Sequence, residues 1–174
     1  PEFAVGTLEA IHNSLHNIVG IVTVPDKPAG RGRKLRASSV KNFAEANNYP
    51  LAQPEKLRDE AFLSQLRAWR PDVIVVVAFR MLPKSVWSMP SLGTFNVHAS
   101  LLPEYRGAAP INWALINGDS KTGVTTFFID EEIDTGNILL QAETEIEPNE
   151  LLEDLYERLM HMGAELAVQT LDGI

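Results

Sequence analysis

The amino-acid sequence predicts an α/β fold, a doubly wound and mostly parallel sheet with helices on both faces. The apolar run from Val73 to Phe79 is rich in β-branched residues and has no polar face. Strands of this kind are typical of parallel sheets that helices cover on each side. Strand-like and helix-like segments also alternate along the chain, which favours the same class of fold.

Apolar periodicity and the bounding prolines and glycines place each element. The clearest helix follows Leu151, since Leu152, Leu155 and Leu159 recur at three- and four-residue spacings. Residues 25–36 hold two prolines and two glycines and are predicted to form a loop. We expect helices from the first residues to about 15, then at 38–47, 54–69, 83–87, 109–117 and 151–171. We expect strands at 17–24, 49–52, 73–79, 94–98, 123–129 and 137–145.

The composition is that of a single globular domain over residues 1–174. The sequence has no cysteine, which excludes disulfides, thiolate zinc sites and a cysteine nucleophile. His12 and His16 are four residues apart on a predicted helix, but no third ligand is nearby, so no metal site is expected. The apolar run at 73–79 is too short to span a bilayer. We therefore expect a cytoplasmic protein without membrane association.

The charge is unevenly distributed along the chain. There are 15 lysines and arginines against 23 acidic residues, which gives a net charge of −8. Six of the cations lie between Lys27 and Lys41, a stretch without any acidic residue. A cationic loop on an acidic body favours one specific contact with a polyanion over nonspecific coating.

Asn96 and His98 are the first candidates for catalysis. Side chains alternate along a strand, so both are expected on one face of the strand at 94–98. They also lie at the carboxyl end of that strand, where open α/β sheets bind ligands. An amide donor and an imidazole together can stabilise a tetrahedral oxyanion and supply a proton. A histidine satisfied by a hydrogen bond at the rim of the core is the alternative.

Asp134 lies in an acidic loop between two predicted strands, together with Asp130, Glu131 and Glu132. Crowded like charges cost stability, so one of these carboxylates is expected to face a partner. A carboxylate beside His98 would orient the imidazole and favour its protonated form. For the other three acidic residues a solvated loop is the simpler interpretation.

The segment from Phe95 to Pro103 resembles the Asn-x-His-x-Ser-Leu-Leu-Pro motif of folate-dependent formyltransferases. The segment from Asp130 to Gly136 resembles their Asp-x-x-x-Asp-x-Gly motif, in the right order and at the right separation. The resemblance covers essentially the whole chain and implies a Rossmann-like formyltransferase fold with 10-formyltetrahydrofolate as co-substrate. The catalytic residues that it implies are Asn96, His98 and Asp134. The folate-binding residues that it implies are Phe79, Arg80, Met81, Leu82, Ser100, Leu101, Leu102, Pro103, Asp130 and Ile133.

Two further segments resemble the methionyl-tRNA formyltransferases in particular. One is Arg106 to Ile111, and the other is Pro25 to Leu35, similar to the loop by which those enzymes engage the tRNA acceptor arm. The resemblance implies initiator methionyl-tRNA as the partner of a monomeric enzyme. The tRNA contacts that it implies are Lys27, Arg31, Arg33, Lys34 and Arg36.

The resemblance also carries two expectations about extent and one departure. Residues 1–174 match the family's catalytic domain without its first strand, and the family's carboxyl-terminal β-barrel domain has no counterpart among them. Arg80 stands where the family often has a glycine, so its larger side chain is expected to reshape the rim of the folate pocket.

Two alternatives stay open at the level of the sequence. The first keeps the chemistry and changes the acceptor to an amino sugar nucleotide or glycinamide ribonucleotide. The second is a non-catalytic nucleic-acid-binding domain that uses the same cationic loop. The acidic body and the scattered aromatic residues argue against this second alternative.

Overall fold

A computed structural model describes residues 1–32 and 34–174. The helices are α1 (Glu2–His12), α2 (Ser39–Ala46), α3 (Glu60–Trp69), α4 (Lys84–Trp87), α5 (Pro110–Ile116) and α6 (Leu152–Gly173). The strands are β1 (Ile21–Val22), β2 (Lys27–Ala29), β3 (Lys34–Arg36), β4 (Leu51–Ala52), β5 (Ile74–Val77), β6 (Thr94–His98), β7 (Lys121–Phe128) and β8 (Ile138–Glu145). The expected strand at 94–98 is confirmed in full. The expected helix at 54–69 is shorter, because the chain turns until Asp59, the residue before α3.

The main sheet has the strand order β5-β6-β7-β8, and β1 pairs separately with β4. The β1–β4 and β5–β6 pairs are parallel, whereas β7 runs antiparallel to both β6 and β8. The α/β class is therefore confirmed, but the prediction of a mostly parallel sheet is wrong for its β7–β8 half. A parallel β7–β8 pair would need a crossover of roughly a dozen residues or more. The connection at 129–137 is too short for one.

Helices cover β5 on both sides, as predicted. Val73, Val75 and Val77 pack against the larger core, which also contains residues of α1, α5 and α6. Ile74 packs against a second core formed with α3 and α4. Because side chains alternate along a strand, these two cores lie on opposite faces of β5. Within the described part of the chain, no helix combines the length and the apolar character that crossing a membrane requires.

Within the cationic stretch, residues 27–29 and 34–36 pair as a β-hairpin where the sequence predicts a loop. β2 and β3 pair antiparallel, with Lys27 opposite Arg36 and Pro28 opposite Leu35. All six strand residues are exposed, so proline is tolerated in a strand that has a free edge. Gly30, at φ +74, begins the turn that joins the strands. The prolines and glycines thus shape a hairpin here and do not prevent one.

An apolar cavity of about 530 Å³ separates β1 from β5. Among the described strands, β1 pairs only with β4 and β5 only with β6, so each has one unpaired backbone edge. Residues 20–24 and 73–77 bring these edges to the cavity, and Pro1 also lines it. We propose that one further strand belongs in this cavity, where it would pair with both edges and fill the apolar space.

An extension of about five valine and isoleucine residues, fused before Pro1, is expected to raise the melting temperature. It would pair two open strand edges and bury apolar surface in the cavity. Calorimetry should compare it with a glycine-serine extension of the same length. Equal melting temperatures for the two extended proteins would contradict the proposed position of the strand.

Arg158 ties α6 to β8 and to the segment that precedes the helix. Its guanidinium donates to Thr144 Oγ1 at 3.0 Å and to the carbonyl oxygen of Glu145 at 2.7 Å. It also donates to both carboxylate oxygens of Glu150, whose side chain is only 6% exposed. The hydrogen bonds from Arg158 hold the pKa of Glu150 below its ordinary value of 4.5.

Glu150→Gln is expected to lower the free energy of unfolding at neutral pH. Because the folded-state pKa of Glu150 is depressed, the ion pair contributes stability above pH 4.5 and loses it as the pH falls through the lower folded-state value. Urea titrations should show a difference between wild type and variant that is largest near neutral pH and shrinks in acid. As a control, Glu143→Gln removes an exposed carboxylate 3.6 Å from Lys121 and should change little at any pH.

Candidate active site

Asn96 and His98 lie on one face of β6, as predicted. Their neighbours in the strand, Phe95 and Val97, are buried in the larger core, so the two polar side chains point to the opposite face. On that face Asn96 is opposite Phe127 of β7. The register of β6 between two partners therefore fixes which side chains reach the site.

A cavity of about 520 Å³ lies at the carboxyl ends of β5 and β6. Because these strands are parallel, both carboxyl ends meet at one edge of the sheet. Three segments bound the cavity: residues 78–82 after β5, residues 107–112 at the start of α5, and residues 129–134 after β7. Asn96, His98 and Asp134 all line it.

His98 is held by hydrogen bonding on one side and borders the cavity on the other. Its Nε2 lies 2.8 Å from the carbonyl oxygen of Tyr105. A carbonyl can only accept, so Nε2 carries a proton and Nδ1 is the nitrogen left for chemistry. The ring is 7% exposed and meets the edge of Phe127 at 6.4 Å between centroids. His98 therefore has both a hydrogen bond at the rim of the core and a position beside the cavity.

Asp134 faces the second nitrogen of the imidazole. Its Oδ2 lies 3.8 Å from His98 Nδ1 and accepts a hydrogen bond of 2.7 Å from the backbone N–H of Gly107. Arg106 Nε donates to the carbonyl oxygen of Asp134 at 3.1 Å. At 3.8 Å the carboxylate and the imidazole do not hydrogen-bond directly, but one small donor could contact both. Asp134 has φ +53, a left-handed conformation that aspartate tolerates better than most residues.

The loop that carries Asp134 is shaped by its own residues. Asp130 Oδ1 accepts from the N–H of Glu132 and from Thr135 Oγ1, both at 3.0 Å. Gly136 passes so close to Phe128 that a Cβ there would lie 1.6 Å from the carbonyl oxygen of Phe128. The first aspartate of the motif therefore stabilises the turn, and its glycine allows the close approach that returns the chain to β8.

Asn96 has unused hydrogen-bonding capacity. Among the described residues, no hydrogen-bond partner reaches its buried Oδ1. A buried amide oxygen that accepts no hydrogen bond is energetically costly. In native structures such a group usually has a hydrogen-bond donor, which can belong to a ligand. The amide borders the cavity beside His98, so a ligand there can satisfy it.

The cavity receives six of the ten expected folate-binding residues. Those that line it are Phe79, Arg80, Met81, Leu82, Asp130 and Ile133. The other four, which are Ser100, Leu101, Leu102 and Pro103, are not among the residues that line it. Ser100 is fully buried and its hydroxyl donates to the carbonyl of Glu104 at 2.6 Å.

The segment at 100–103 is hydrogen-bonded to the sheet. Thr125 Oγ1 donates to the carbonyl of Ser100 at 2.7 Å, and the N–H of Leu102 donates to the same hydroxyl at 3.1 Å. Gln141 donates to the carbonyl of Leu102 at 3.0 Å. These contacts fasten the turn after β6 to β7 and β8, and the turn leads directly to Tyr105.

Arg80 lines the cavity and is held by backbone carbonyls of a neighbouring segment. Its guanidinium donates to the carbonyl oxygens of Pro54 and Glu55 at 2.8 and 3.0 Å and lies 5.1 Å from the centre of the Phe79 ring. Its Nε is buried without a hydrogen-bond partner among the described residues. Arg80 therefore joins the loop after β5 to the segment before α3.

Four of the five residues expected to contact tRNA are described, and all four are exposed at the hairpin: Lys27, Arg31, Lys34 and Arg36. Arg33 lies outside the described residues. Lys41, the last cation of the stretch, is instead paired with Asp26 at 2.7 Å, and Gln53 donates to the same carboxylate at 2.9 Å. The hydrogen bond from Lys41 lowers the pKa of Asp26, so an ion pair lies at the base of the hairpin.

Sequence reasoning did not identify the backbone groups of the site. Tyr105 contributes its carbonyl oxygen and Gly107 its N–H, and neither group is visible from residue type. From the sequence, the segment from Arg106 onward carries only a resemblance to one group of enzymes. The sequence gives one indication of an unusual backbone here, the glycine at position 107. Glycine permits a positive φ, and Gly107 has φ +89.

The family model for formyl transferases matches residues 2–171. The chain belongs to the formyl transferase family. The Asn96, His98 and Asp134 arrangement described above thus lies in a formyl transferase domain.

Curated relatives of this formyl transferase domain include three methionyl-tRNA formyltransferases. The one from Flavobacterium johnsoniae is 58% identical and aligns with 98% of this chain and 54% of its own length. That from Bacteroides fragilis is 55% identical over 100% of this chain and 54% of its own length. That from Clostridioides difficile is 50% identical over 98% and 56%, respectively. The chain thus spans about half the length of these relatives.

Solved structures of formyl transferases share the fold. Glycinamide ribonucleotide transformylase 1 from Geobacillus kaustophilus has a TM-score of 0.76 and 28% identity, covering 97% of this chain and 89% of that one. Phosphoribosylglycinamide formyltransferase from Bacillus halodurans has a TM-score of 0.80 and 22% identity, covering 98% and 88%. The second likeness concerns the fold alone.

Proposed function

We propose that the protein transfers the formyl group of 10-formyltetrahydrofolate to the α-amine of initiator methionyl-tRNA. The observation that carries the proposal is the single cavity bordered by Asn96, His98 and Asp134, at the carboxyl edge of two parallel strands. The methionyl-tRNA formyltransferases that are 50–58% identical to the chain support the choice of acceptor.

The cavity suits a folate. Its volume of about 520 Å³ lies within the range of roughly 300–1,000 Å³ typical of ligand sites. Phe79, Met81 and Ile133 provide apolar surface for a flat ring, and the side chains of Met81 and Ile133 are exposed. The buried Oδ1 of Asn96 can accept a hydrogen bond from a donor group of the ligand.

In the first step, the acceptor amine attacks the formyl carbon that is bonded to N10 of the folate. An amine beside His98 Nδ1 and Asp134 Oδ2 can contact both, because these atoms are 3.8 Å apart. Asp134 accepts a proton from the attacking nitrogen. Gly107 holds the carboxylate in place through its N–H throughout this step.

In the second step, Asn96 and His98 stabilise the tetrahedral adduct. The Asn96 amide donates to the formyl oxygen as it becomes an oxyanion, and the proton that Asp134 accepted moves to His98 Nδ1, so that positive charge lies beside that oxygen. The bond from the formyl carbon to N10 then breaks, and the proton taken from the amine passes to N10. The products are a formylated amine and tetrahydrofolate, with no net change in protons.

Asn96→Ala and His98→Ala are each expected to lower kcat by about 10²–10³-fold, the usual cost of removing one oxyanion donor. Affinity for the folate should change much less, because the apolar part of the cavity is intact. Transfer assays with 10-formyltetrahydrofolate and methionyl-tRNA measure the first quantity, and a folate-binding titration the second. His161→Ala, an exposed histidine of α6, is the matched control and should keep full activity. Normal turnover by either site variant would overturn the assignment.

The hairpin supports tRNA as the acceptor. Lys27 and Arg36 lie directly opposite each other, a cross-strand arrangement of like charges that is destabilising unless an anion neutralises it. The rest of the chain is acidic, so attraction of a nucleic acid must be local.

Arg31→Gln with Arg36→Gln is expected to raise the KM for methionyl-tRNA and to reduce its salt dependence, while kcat changes little. Each lost phosphate contact should lower the slope of log affinity against log salt by roughly 0.7–0.9. The control with the same charge change is Arg58→Gln with Arg67→Gln, two exposed residues near and in α3. If tRNA formylation is unchanged in the hairpin variant, the small-acceptor alternative is favoured.

A further inference from the structure

Three consecutive residues hold two of the proposed catalytic side chains. The carbonyl of Tyr105 accepts from His98 Nε2 at 2.8 Å. Arg106 donates to the backbone carbonyl of Asp134 at 3.1 Å, and the N–H of Gly107 donates to its carboxylate at 2.7 Å. The positions of His98 and Asp134 therefore both depend on where this segment lies.

The segment is itself anchored by the side chain of Tyr105. The Tyr105 hydroxyl donates to Asp119 Oδ2 at 2.5 Å and accepts from Asn117 Nδ2 at 2.9 Å. Asn117 and Asp119 belong to the turn that ends α5, where their backbone N–H groups donate to the carbonyls of Trp113 and Ala114. The phenol thus joins the turn after α5 to the backbone that bonds to His98.

Tyr105 needs this anchor for a conformational reason. Its φ is +53, in the left-handed region, which is unfavourable for a tyrosine. Such a conformation persists only when the surrounding contacts hold it. The hydrogen bond to Asp119 also raises the pKa of Tyr105, because ionisation of the phenol would remove the proton that it donates to the carboxylate.

We propose that Tyr105, Asn117 and Asp119 are positioning residues for formyl transfer, which act through the Tyr105 carbonyl to fix the tautomer and orientation of His98. This inference rests on the proposed function of the site. None of the three residues lines the cavity, so they act without contacting a substrate. Loss of the anchor should therefore lower kcat and leave KM unchanged.

Tyr105→Phe tests the proposal, because it keeps the ring and removes only the hydroxyl. The expected result is a fall in kcat of about tenfold, smaller than the roughly 10²-fold loss that a misplacement of about 1 Å causes. The KM values for folate and methionyl-tRNA should stay within about twofold. By NMR, the His98 Nε2–H proton should exchange with water faster than in the wild type, because its acceptor is no longer held.

The matched control is Tyr49→Phe. It removes a phenol hydroxyl that is hydrogen-bonded to His12 Nδ1 at 2.6 Å, in a part of the molecule that does not line the cavity. It should leave both kcat and the exchange of His98 unchanged. Asp119→Asn keeps an acceptor oxygen and should retain most of the rate, whereas Asp119→Ala should behave like Tyr105→Phe. If Tyr105→Phe does not fold, the two Asp119 variants decide.

Two results would overturn the proposal: a kcat for Tyr105→Phe equal to that of the wild type, or a loss that lies in KM. Failure of the proposed function is a separate outcome. If the wild type transfers no formyl group, the function is wrong, and the exchange rate of His98 Nε2–H still decides whether Tyr105 positions the imidazole.

Discussion

The site depends on the pairing of β6 with a parallel strand on one side and an antiparallel strand on the other. The parallel pair with β5 brings two carboxyl ends to one edge, which forms the base of the cavity. The antiparallel pair with β7 sends the chain away from His98, toward Phe95 and Thr94. The loop at 129–137 must then run back along β6, which carries Asp134 to the imidazole. Because Phe95 and Val97 are locked in the core, the register of this pairing cannot slip without turning Asn96 and His98 inward.

Much of this arrangement follows from local sequence. Alternation of apolar and polar residues determines the bounds of β6 and the common face of Asn96 and His98, because side chains alternate with period two in any strand. Strand direction is different in kind. Strand direction depends on which segments pair, and the apolar pattern of β7 is compatible with either a parallel or an antiparallel partner. Only the short connection to β8 indicated an antiparallel pair.

Residue type predicts the contacts of the site least well where backbone groups make those contacts. Ser100 belongs to a specific motif and was expected at the folate, but its hydroxyl is turned inward to hold the chain after β6. Asp130 lines the cavity and also closes the turn that presents Asp134. The motif residues therefore include some that stabilise the fold and some that border the site. The contacts in the structure distinguish these two groups.

The hydrogen bond from His98 to a main-chain carbonyl has a consequence for variation at position 105. No substitution can delete a carbonyl; it can only move it. Single replacements at position 105 would therefore test the role of the side chain and not that of the carbonyl oxygen that contacts His98. A glycine there would take the left-handed conformation without strain, yet would lack the phenol that holds the carbonyl in place. The position of the imidazole therefore depends on the backbone conformation at residue 105, and the side chain of that residue matters because it maintains this conformation.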